Sequence, residues 1–501
     1  MTRVILGSLL VGGVAALCPA AEPAPIVPAP PLELVLTGDT PARVELRVEV
    51  DGKPVAAVWG ETLAKLFAFL DRNADGALDS KEAAHAPAAL ALRQALGNGF
   101  TPPTGAVPEF AALDADGDGK VNAKEFAAFY RRAGLGNAIV GVGKLPASAD
   151  LTAALLKNLD TDGDGKVTEK ELRAVADALK ALDKNDDELI GAGELVPKSL
   201  YPGAAGTTLL TAPTADPLPD VLAKLPLVLL PADARDTHWA AEVVKRRAKG
   251  SADTRTAADL AAWRAKEPDA RVVAKLAGKP GPADTFAVTG GTVRVEGWVA
   301  EGKVAEAFAI ARRQFQAQLS APDEPEPKTP IAKGLRRGGG SLAWLKPAAD
   351  RDGDGTLDAK ELEAWLAVQE QLAGGQVLLS VLDAGNGLFE LLDTNHDGAL
   401  SPRELRSAAD RLKGVGCLRD GVLDKAKIPH LVLVAVSRGY PVSFGTDLRG
   451  GPGWFKAMDR NGDGDVSRRE FTGPPEVFDR LDLDKDGLLS AAEAEGAEVK
   501  R

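Results

Sequence analysis

Cysteine is almost missing from this chain, which has two in 501 residues. Cys18 lies in an N-terminal segment that we expect to be removed, so Cys417 would remain alone and no intramolecular disulfide could form. Aromatic residues are also scarce, at 5% of the chain, while glycine and proline are plentiful with 53 and 34 residues. We therefore expect modest cores, many turns and a source of rigidity other than disulfides, of which bound metal is one.

A surplus of basic residues is absent as well. The 60 lysines and arginines are outnumbered by 72 aspartates and glutamates, which gives a net charge of −12. Phosphate backbones require a basic face, so this composition excludes a nucleic-acid partner. No run of basic residues indicates binding to an anionic membrane surface.

The usual catalytic motifs are also missing. The chain has four histidines and no HExxH, CxxC, G-x-S-x-G, P-loop or G-x-G-x-x-G pattern. We found no candidate catalytic or organic-cofactor residue and expect no enzyme, although the central region stays uncertain on this point.

Long apolar runs occur only at the N-terminus, where "MTRVILGSLLVGGVAALCPAAEPAP" places Arg3 before an apolar run at 4–17 and small residues after it. This order is typical of a secretory signal peptide, with cleavage expected after Ala20 or Ala21. The run is short for a membrane span, and no later segment qualifies. We expect an exported protein (periplasmic, cell-surface or secreted) with no membrane span after cleavage. Two alternatives stay open: lipidation at Cys18, or an uncleaved anchor.

What the chain does have is a repeated acidic segment, such as "DADGDGKVNAKE" at Asp114–Glu125. Alternate side chains at positions 1, 3 and 5 of a tight loop point inward, glycine at position 6 allows a left-handed turn, and a glutamate at position 12 reaches back from the next helix. Ca²⁺ takes six to eight oxygen ligands in such a loop. The pattern resembles the EF-hand calcium-binding superfamily, and in particular the multi-EF-hand proteins that bacteria export.

Seven segments match in full: loop 1 (71–82), loop 2 (114–125), loop 3 (160–171), loop 5 (350–361), loop 6 (393–404), loop 7 (459–470) and loop 8 (482–493). The resemblance implies that positions 1, 3, 5, 7 and 12 bind the ion, with position 7 using its backbone carbonyl. These residues are Asp71, Asn73, Asp75, Ala77 and Glu82; Asp114, Asp116, Asp118, Lys120 and Glu125; Asp160, Asp162, Asp164, Lys166 and Glu171; Asp350, Asp352, Asp354, Thr356 and Glu361; Asp393, Asn395, Asp397, Ala399 and Glu404; Asp459, Asn461, Asp463, Asp465 and Glu470; and Asp482, Asp484, Asp486, Leu488 and Glu493.

Loop 4 (183–194) is defective. It keeps the candidate ligands Asp183, Asn185, Asp187 and Glu194 but has Glu188 where the others have glycine. A glutamate with positive φ is unfavourable, so we expect a weak or vestigial site. Position 8 is aliphatic in all eight loops, as it is in EF-hands, where it pairs with the partner loop and faces the core. We therefore expect loop 4 to keep its fold and to pair with loop 3.

The spacing of the loops indicates an internal duplication. The first residues of loops 1 and 2 lie 43 positions apart and those of loops 3 and 4 lie 23 apart, and loops 5 to 8 repeat this order. Alternating strand patterns at Thr37–Lys53 and Thr289–Lys303 precede the two halves. The expected fold is mainly α, with paired helix-loop-helix units in two duplicated halves and small β segments upstream of each half and in the central region.

The chain divides into segments of different composition. The expected boundaries are a signal peptide at 1–21, a proline-rich tether at 22–33, a first half with four loops at 34–200, a central region of unknown role at 201–288, a strand, helix and Pro/Gly-rich linker segment at 289–340, and a second half with four loops at 341–501.

Three functions fit these observations. The first is an exported protein in which about seven Ca²⁺ ions order a structural or protein-interaction module with an unknown protein or cell-surface partner; their 14 positive charges would bring the mature chain, without Arg3, to a net charge of about +1. The second is a calcium sensor that grips target helices, which usually needs a methionine-lined groove, whereas only Met458 follows the initiator. The third is an enzyme with an unrecognised site in 195–345.

Overall fold

The computed structural model describes residues 32–38, 40–89, 92, 106–133, 139–145, 148–199, 225–230, 262–263, 265–276, 285–300, 304–319, 345–439 and 450–498. The expected signal peptide, most of the tether, the linker at 321–340 and most of the central region lie outside these residues. No helix in the described ranges combines the length and the apolar character that a membrane crossing requires.

Sixteen α-helices occur in the described residues, most of them short. They are α1 Val55–Leu70, α2 Ser80–Ala83, α3 Phe110–Leu113, α4 Ala123–Arg132, α5 Ser148–Leu159, α6 Glu169–Arg173, α7 Val175–Leu179, α8 Ala192–Leu195, α9 Val304–Leu319, α10 Lys346–Ala349, α11 Ala359–Gly375, α12 Leu388–Leu392, α13 Pro402–Gly414, α14 Gly453–Met458, α15 Pro475–Leu481 and α16 Ala491–Glu498. Short 3₁₀ turns follow at Lys180–Leu182 and Lys425–Lys427.

The described strands number eighteen. They are β1 Leu32–Leu36, β2 Ala42–Val50, β3 Lys53–Pro54, β4 Ala77–Leu78, β5 Val121–Asn122, β6 Ile139–Lys144, β7 Ile190–Gly191, β8 Leu227–Leu230, β9 Ala270–Leu276, β10 Thr285–Gly290, β11 Val293–Ala300, β12 Val377–Gly385, β13 Ala399–Leu400, β14 Leu418–Arg419, β15 Val422–Leu423, β16 His430–Arg438, β17 Asp465–Ser467 and β18 Leu488–Ser490.

Two five-stranded sheets form the centre of the described structure. In one, β3, β2, β1 and β8 follow one another and β9 lies parallel to β2; in the other the order is β10-β11-β16-β12-β6. Strands β12 and β16 are almost continuously apolar and buried, as expected for strands covered on both faces. Side chains of both sheets share one core, and a methyl group on Gly290 would lie 2.8 Å from the Cβ atom of Ala42, which shows how closely the sheets approach.

The loops surround these sheets in three clusters, each with its own apolar core. One core joins loops 1, 2 and 5 with helices α1, α9 and α11. A second is built from residues 151–195 and 388–428, and so takes loops 3 and 4 from one part of the chain and loop 6 from another. The third contains loops 7 and 8.

The expectation of a mainly α fold is therefore wrong in its emphasis. Helices make up about 42% of the described residues and sheets about 24%, and the sheets are large rather than small. The strand patterns at 37–53 and 289–303 do form strands, β2 and β11, and the expected helix-loop-helix regions are present. The reason for the difference is that β12 and β16 are buried runs without the alternation that marks a half-exposed strand.

Glu390 in α12 carries a buried carboxyl group. Its side chain is 1% exposed, and neither carboxylate oxygen has a hydrogen-bond partner among the described residues. Burial raises the pKa of Glu390 to about 7. Since its ordinary pKa is 4.5, the folded chain holds this proton more tightly than the unfolded chain does. Its contribution to stability is complete below pH 4.5 and is lost as the pH rises through 7.

Glu390→Gln removes this ionisation and should flatten the pH dependence of stability. In saturating calcium, we expect the variant to gain up to about 3 kcal/mol over the wild type at pH 8 relative to pH 5, as measured by chemical unfolding. Glu495→Gln, at an exposed position, is the matched control and should show no such trend. An equal stability difference at both pH values would mean that Glu390 is not a buried charge in the folded chain.

Candidate metal centres

Each complete loop begins where a helix or helical turn ends, and loop 2 shows how the first aspartate is used. The N–H of Asp114 donates to the carbonyl of Phe110 and closes α3. One carboxylate oxygen of Asp114 accepts from the N–H of Gly117 at 2.8 Å, and the other accepts from the N–H of Gly119 at 3.0 Å. Gly119 has φ 85°, the left-handed turn expected at position 6. The loop is therefore folded back around its own first carboxylate.

The glutamate at position 12 is fixed by the start of the next helix. Asn122 at position 9 caps α4 by accepting from the N–H of Glu125, and Oε2 of Glu125 accepts from the N–H of Asn122 at 2.9 Å. The other oxygen accepts from the N–H groups of Ala115 and Asp116 at 2.9 and 3.1 Å. This capping box explains how a residue on a helix reaches the loop. These backbone hydrogen bonds, chiefly the one from Asn122, lower the pKa of Glu125.

The capping box recurs in loops 1, 3, 5 and 6, with Asp79, Thr168, Asp358 and Ser401 at position 9. Gly191 of loop 4 has no side chain that could accept, so only the reverse contact is left, in which its N–H donates to Glu194 at 2.9 Å. In loop 3 the backbone and hydroxyl of Thr168 lower the pKa of Glu171 to about 2, so this carboxylate is charged at any ordinary pH.

Carboxylate oxygens from different positions converge in four loops. In each of these loops three acidic groups place oxygens within 4.8 Å of one another. The groups are Asp114, Asp116 and Asp118; Asp160, Asp162 and Glu171; Asp350, Asp352 and Glu361; and Asp482, Asp484 and Glu493.

Two of these clusters contain an oxygen that no protein group satisfies. Oδ1 of Asp160 and Oδ1 of Asp482 are buried and accept no hydrogen bond from the described residues. Beside other carboxylates of the same loop, a buried oxygen without a donor is satisfied by a bound cation, and oxygen-only ligands favour a hard one. The residues present therefore fit Ca²⁺.

The remaining complete loops, 1, 6 and 7, show the same internal hydrogen bonds. Their position-6 glycines donate to the carboxylate at position 1 at 3.0 to 3.2 Å, and their position-12 glutamates accept from the N–H groups of positions 2 and 3. The N–H of each position-7 residue donates to the position-5 carboxylate, as in the other complete loops. Hydrogen bonds within each of these loops thus connect the residues at its candidate ligand positions.

Loops 6 and 7 differ from the others in their burial. Burial raises the pKa of Asp393, and the charge of Glu404 raises it further. In loop 7 burial and neighbouring acidic groups raise the pKa of Asp463 to about 7. A bound divalent cation would reverse this effect by stabilising the charged forms. We therefore expect calcium binding to release more protons at loops 6 and 7 than at loop 3.

The loops pair through their position-8 residues, but not all pairs are those expected. Leu78 pairs with Val121 in loops 1 and 2, and Val466 pairs with Leu489 in loops 7 and 8. The expected pairing of loops 3 and 4 is wrong, because Ile190 of loop 4 pairs with Leu400 of loop 6. Spacing along the chain could not show this, because a strand of two residues accepts any partner that the surrounding helices bring beside it.

The comparisons with known proteins agree with this geometry. A model of an EF-hand domain pair matches residues 104–176, and an EF-hand model matches residues 348–367, 386–408, 453–472 and 476–493. The chain contains EF-hand domains. The matched segments hold loops 2, 3, 5, 6, 7 and 8, whereas loops 1 and 4 lie outside them. No curated protein and no solved structure matches the chain.

Contacts between hands of different pairs were not foreseen from the sequence. Asn461 of loop 7 directs its side-chain carbonyl into its own loop, where it accepts from the N–H of Asp463 at 3.1 Å. Its side-chain N–H₂ group donates to the backbone carbonyl of Asp187 in loop 4 at 2.9 Å. Asn395 of loop 6 likewise donates to the carbonyl of Asp463, at 3.4 Å. An aspartate at position 3 could not donate in this way. Asparagine at this position therefore indicates a contact with another loop, which the calcium-ligand pattern does not predict.

Arginines reinforce the same junction. Arg403 of loop 6 forms ion pairs with Asp465 of loop 7 at 2.6 Å and with Asp486 of loop 8 at 2.9 Å. Arg469 of loop 7 is paired with Asp186 of loop 4. Loops 4, 6, 7 and 8 therefore form one contact region, which we call the four-loop junction.

His396 at position 4 of loop 6 does not face solvent as such residues normally do. Its ring stacks on Trp298 of β11 with the ring centroids 5.4 Å apart, and burial lowers its pKa to about 4. Arg411 of α13 forms an ion pair with Glu296 of the same strand at 2.8 Å. These contacts attach loop 6 to the central sheet.

Asn461→Asp should weaken the four-loop junction while keeping an oxygen ligand at position 3. We expect the free energy of unfolding in saturating calcium to fall by about 1 kcal/mol more than in the control Asn73→Asp. Asn73 accepts from the N–H of Asp75 at 2.8 Å and, among the described residues, donates to no other loop. Equal effects of the two variants would show that the contact between loops 7 and 4 contributes nothing to stability.

Loop 4 provides a direct test of backbone strain. Glu188 has φ 69° and donates its N–H to Asp183 at 3.0 Å, which reproduces the glycine geometry of the other loops. Glu188→Gly should therefore raise the free energy of unfolding by about 1 kcal/mol, measured by chemical unfolding in saturating calcium. Glu188→Ala removes the same carboxylate but keeps the β-carbon, so it should give little of this gain. If both variants stabilise equally, charge rather than strain limits loop 4.

Proposed function

We propose that this is an exported protein in which about seven Ca²⁺ ions order a rigid structural or protein-interaction module. Calcium binding itself follows from the EF-hand domains. A structural role is supported by the packing of the helices that flank the loops, because these helices contribute side chains to the main hydrophobic cores. Trp59 of α1, Phe126 of α4 and Leu366 of α11 are at most 2% exposed and lie in the same core as loops 1, 2 and 5.

The ions would be held by the seven complete ligand sets and would supply positive charge where carboxylates crowd together. The protein's part is to orient these carboxylates through its backbone N–H groups and to keep water from the inner side of each loop. Position 8 is buried in every loop, with Leu357 the most exposed at 8%. Ordering a loop therefore fixes a residue of the core, which is how calcium would stabilise the whole module.

A sensor that opens an apolar groove is less well supported. The large hydrophobic side chains that are exposed in the described residues are Val107, Val273, Ile310 and Leu483, which come from four different parts of the chain and include no methionine or aromatic residue. Sensor hands need an apolar surface ready for a target helix. The aromatic residues of the described hands are instead used in contacts such as that of Phe67 with Phe126, whose ring centroids lie 5.6 Å apart.

An enzyme would require a pocket with polar groups free to act. The described structure contains a cavity of about 620 Å³ between α1, α9, α11 and the sheets, which Lys275, Val299 and Val304 of the region 195–345 help to line. Charged groups on its wall are used in ion pairs, such as Lys53 with Glu61 at 2.7 Å and Arg438 with Asp51 at 2.9 Å. This arrangement is typical of a structural cleft, and we propose no catalytic role for it.

Counting the ions tests the proposal. Native mass spectrometry of the mature chain in calcium should give about seven bound ions, because seven loops carry complete ligand sets. Glu361→Gln in loop 5 should remove one ion, since it deletes the position-12 carboxylate, while Glu363→Gln, at an exposed position of the same helix, should remove none. A saturated count of four or fewer would contradict one ion per complete loop. Unfolding temperatures that are unchanged by a chelator would contradict the structural role.

A further inference from the structure

The partner of loop 3 is a segment that carries no calcium-binding pattern. The N–H of Leu423 donates to the carbonyl of Val167 at 2.8 Å, and the N–H of Glu169 donates to the carbonyl of Gly421 at 2.7 Å. Thr168 and Val422 form an antiparallel bridge between these bonds. Loop 3 thus makes the short strand contact of a paired hand, but with residues near 422.

The register of this contact matches that of the true pairs. In loops 1 and 2, Ala77 at position 7 faces Asn122 at position 9, and loops 6 and 4 pair in the same way. Because Thr168 is position 9 of loop 3, Val422 takes position 7 of the partner and Leu423 takes position 8. Leu423 is 6% exposed and lies in the same core as Val167, as a position-8 residue should.

Counting from this register defines a twelve-residue segment, 416–427, and its other positions agree. Position 6 is Gly421, with φ 76°, as in the complete loops. Position 9 is Asp424, whose carboxylate accepts from the N–H of Ala426 and caps the following turn, as Asp79 does in loop 1. Gly416 also follows Asp393 by 23 positions, the spacing that separates Asp160 from Asp183.

We propose that residues 416–427 are a ninth hand that works without metal. Helix α13 is then both the last helix of hand 6 and the first helix of the ninth hand. Residues 160–194 and 393–427 become two double hands of the same layout, which pair crosswise: loop 3 with the ninth loop, and loop 4 with loop 6. Each crosswise pair contains one complete loop and one that is defective or lacks ligands.

The ninth loop has lost the means to bind a cation. Positions 1, 3 and 12 are Gly416, Leu418 and Lys427, so of the four ligand side chains only Asp420 at position 5 is left, and a positive charge stands where the bidentate glutamate belongs. The strands β14 and β15 close the loop instead, around a turn in which Asp420 and Gly421 both have positive φ. This is the type I′ turn that fits the twist of a hairpin.

Further hydrogen bonds complete the closure that an ion provides elsewhere. The N–H of Asp424 donates to the carbonyl of Cys417 at 2.8 Å, and the N–H of Cys417 donates to the carbonyl of Leu412 at 2.8 Å. Because these bonds need no metal, the ninth loop offers Val167 a fixed partner at any calcium concentration. The role of holding loop 3 ready for its ion rests on the proposed calcium binding, whereas the metal-independent pairing does not.

Hydrogen–deuterium exchange of the full chain, read by mass spectrometry, tests the pairing. In chelator we expect peptides covering 165–171 and 420–424 to keep their protection within about threefold of the value in calcium, because their bonds do not depend on an ion. Peptides covering 76–82 and 119–125, where both partners are calcium loops, should lose protection by about tenfold or more. Exchange at 165–171 in chelator as fast as at 76–82 would overturn the proposal.

A variant locates the effect in the hairpin. A β-carbon on Gly421 would meet no atom within 4 Å, so Gly421→Val acts chiefly through its unfavourable backbone angle. In chelator it should speed exchange at 165–171 by about tenfold. Gly291→Val, at a φ of 58° in the turn between β10 and β11, is the control and should leave 165–171 unchanged. Unchanged exchange at 165–171 in Gly421→Val would also contradict the proposal. If calcium fails to alter any loop while 165–171 stays protected, calcium binding is wrong and the ninth hand stands.

Discussion

A contact only two residues long, made where one loop meets another, governs the arrangement of the hands in this protein. In each described pair the residue at position 8 lies beside its counterpart and is buried at 0 to 6% exposure. The backbone bonds of this contact join two loops that carry like charges when no cation is bound. The helices can pack only in arrangements that keep these short strands side by side, so the choice of partner decides which parts of the chain share a core.

The crosswise choice links distant parts of the chain into one structure. Residues 151–195 and 388–428 form a single core, and β6, which precedes the first of these ranges, lies beside β12, which precedes the second, in the sheet of order β10-β11-β16-β12-β6. The four-loop junction then adds loops 7 and 8 through side chains that also belong to the ion-binding positions. A change at one loop therefore directly affects side chains that contact another loop, without a separate regulatory element.

The sequence predicts the chemistry inside each loop because that chemistry is local. The first aspartate, the glycine at position 6 and the capping box at positions 9 to 12 interact within twelve residues, so their pattern is sufficient. Even the conformation of Glu188 follows from its position, and its φ of 69° agrees. The strands β2 and β11 were also predictable, since apolar and charged residues alternate along much of each strand.

The pairing of the loops and the buried strands could not be predicted from the sequence pattern, because they depend on contacts between residues that are far apart in the chain. The partner of loop 4 is chosen by helices that are far apart in sequence, and the buried strands β12 and β16 carry no alternation. The segment 416–427 escaped notice because the pattern is defined by acidic ligands, and this segment has kept only the residues that shape the backbone. The stacking of His396 on Trp298 likewise requires the sheet to be in place.

The crosswise pairing also sets the order in which the chain can fold. Ile190 and its partner Leu400 lie 210 positions apart, so loop 4 has no strand partner until most of the chain has been synthesised. Contacts this distant in sequence form slowly, since the entropic cost of closing a long loop must be met before the contacts stabilise the chain. Until then the apolar residues of α5 and of positions 8 in loops 3 and 4 stay uncovered and prone to association. A chain cut before residue 388 would therefore keep three of its first four calcium loops complete, yet lack the other half of the core on which two of the four pack.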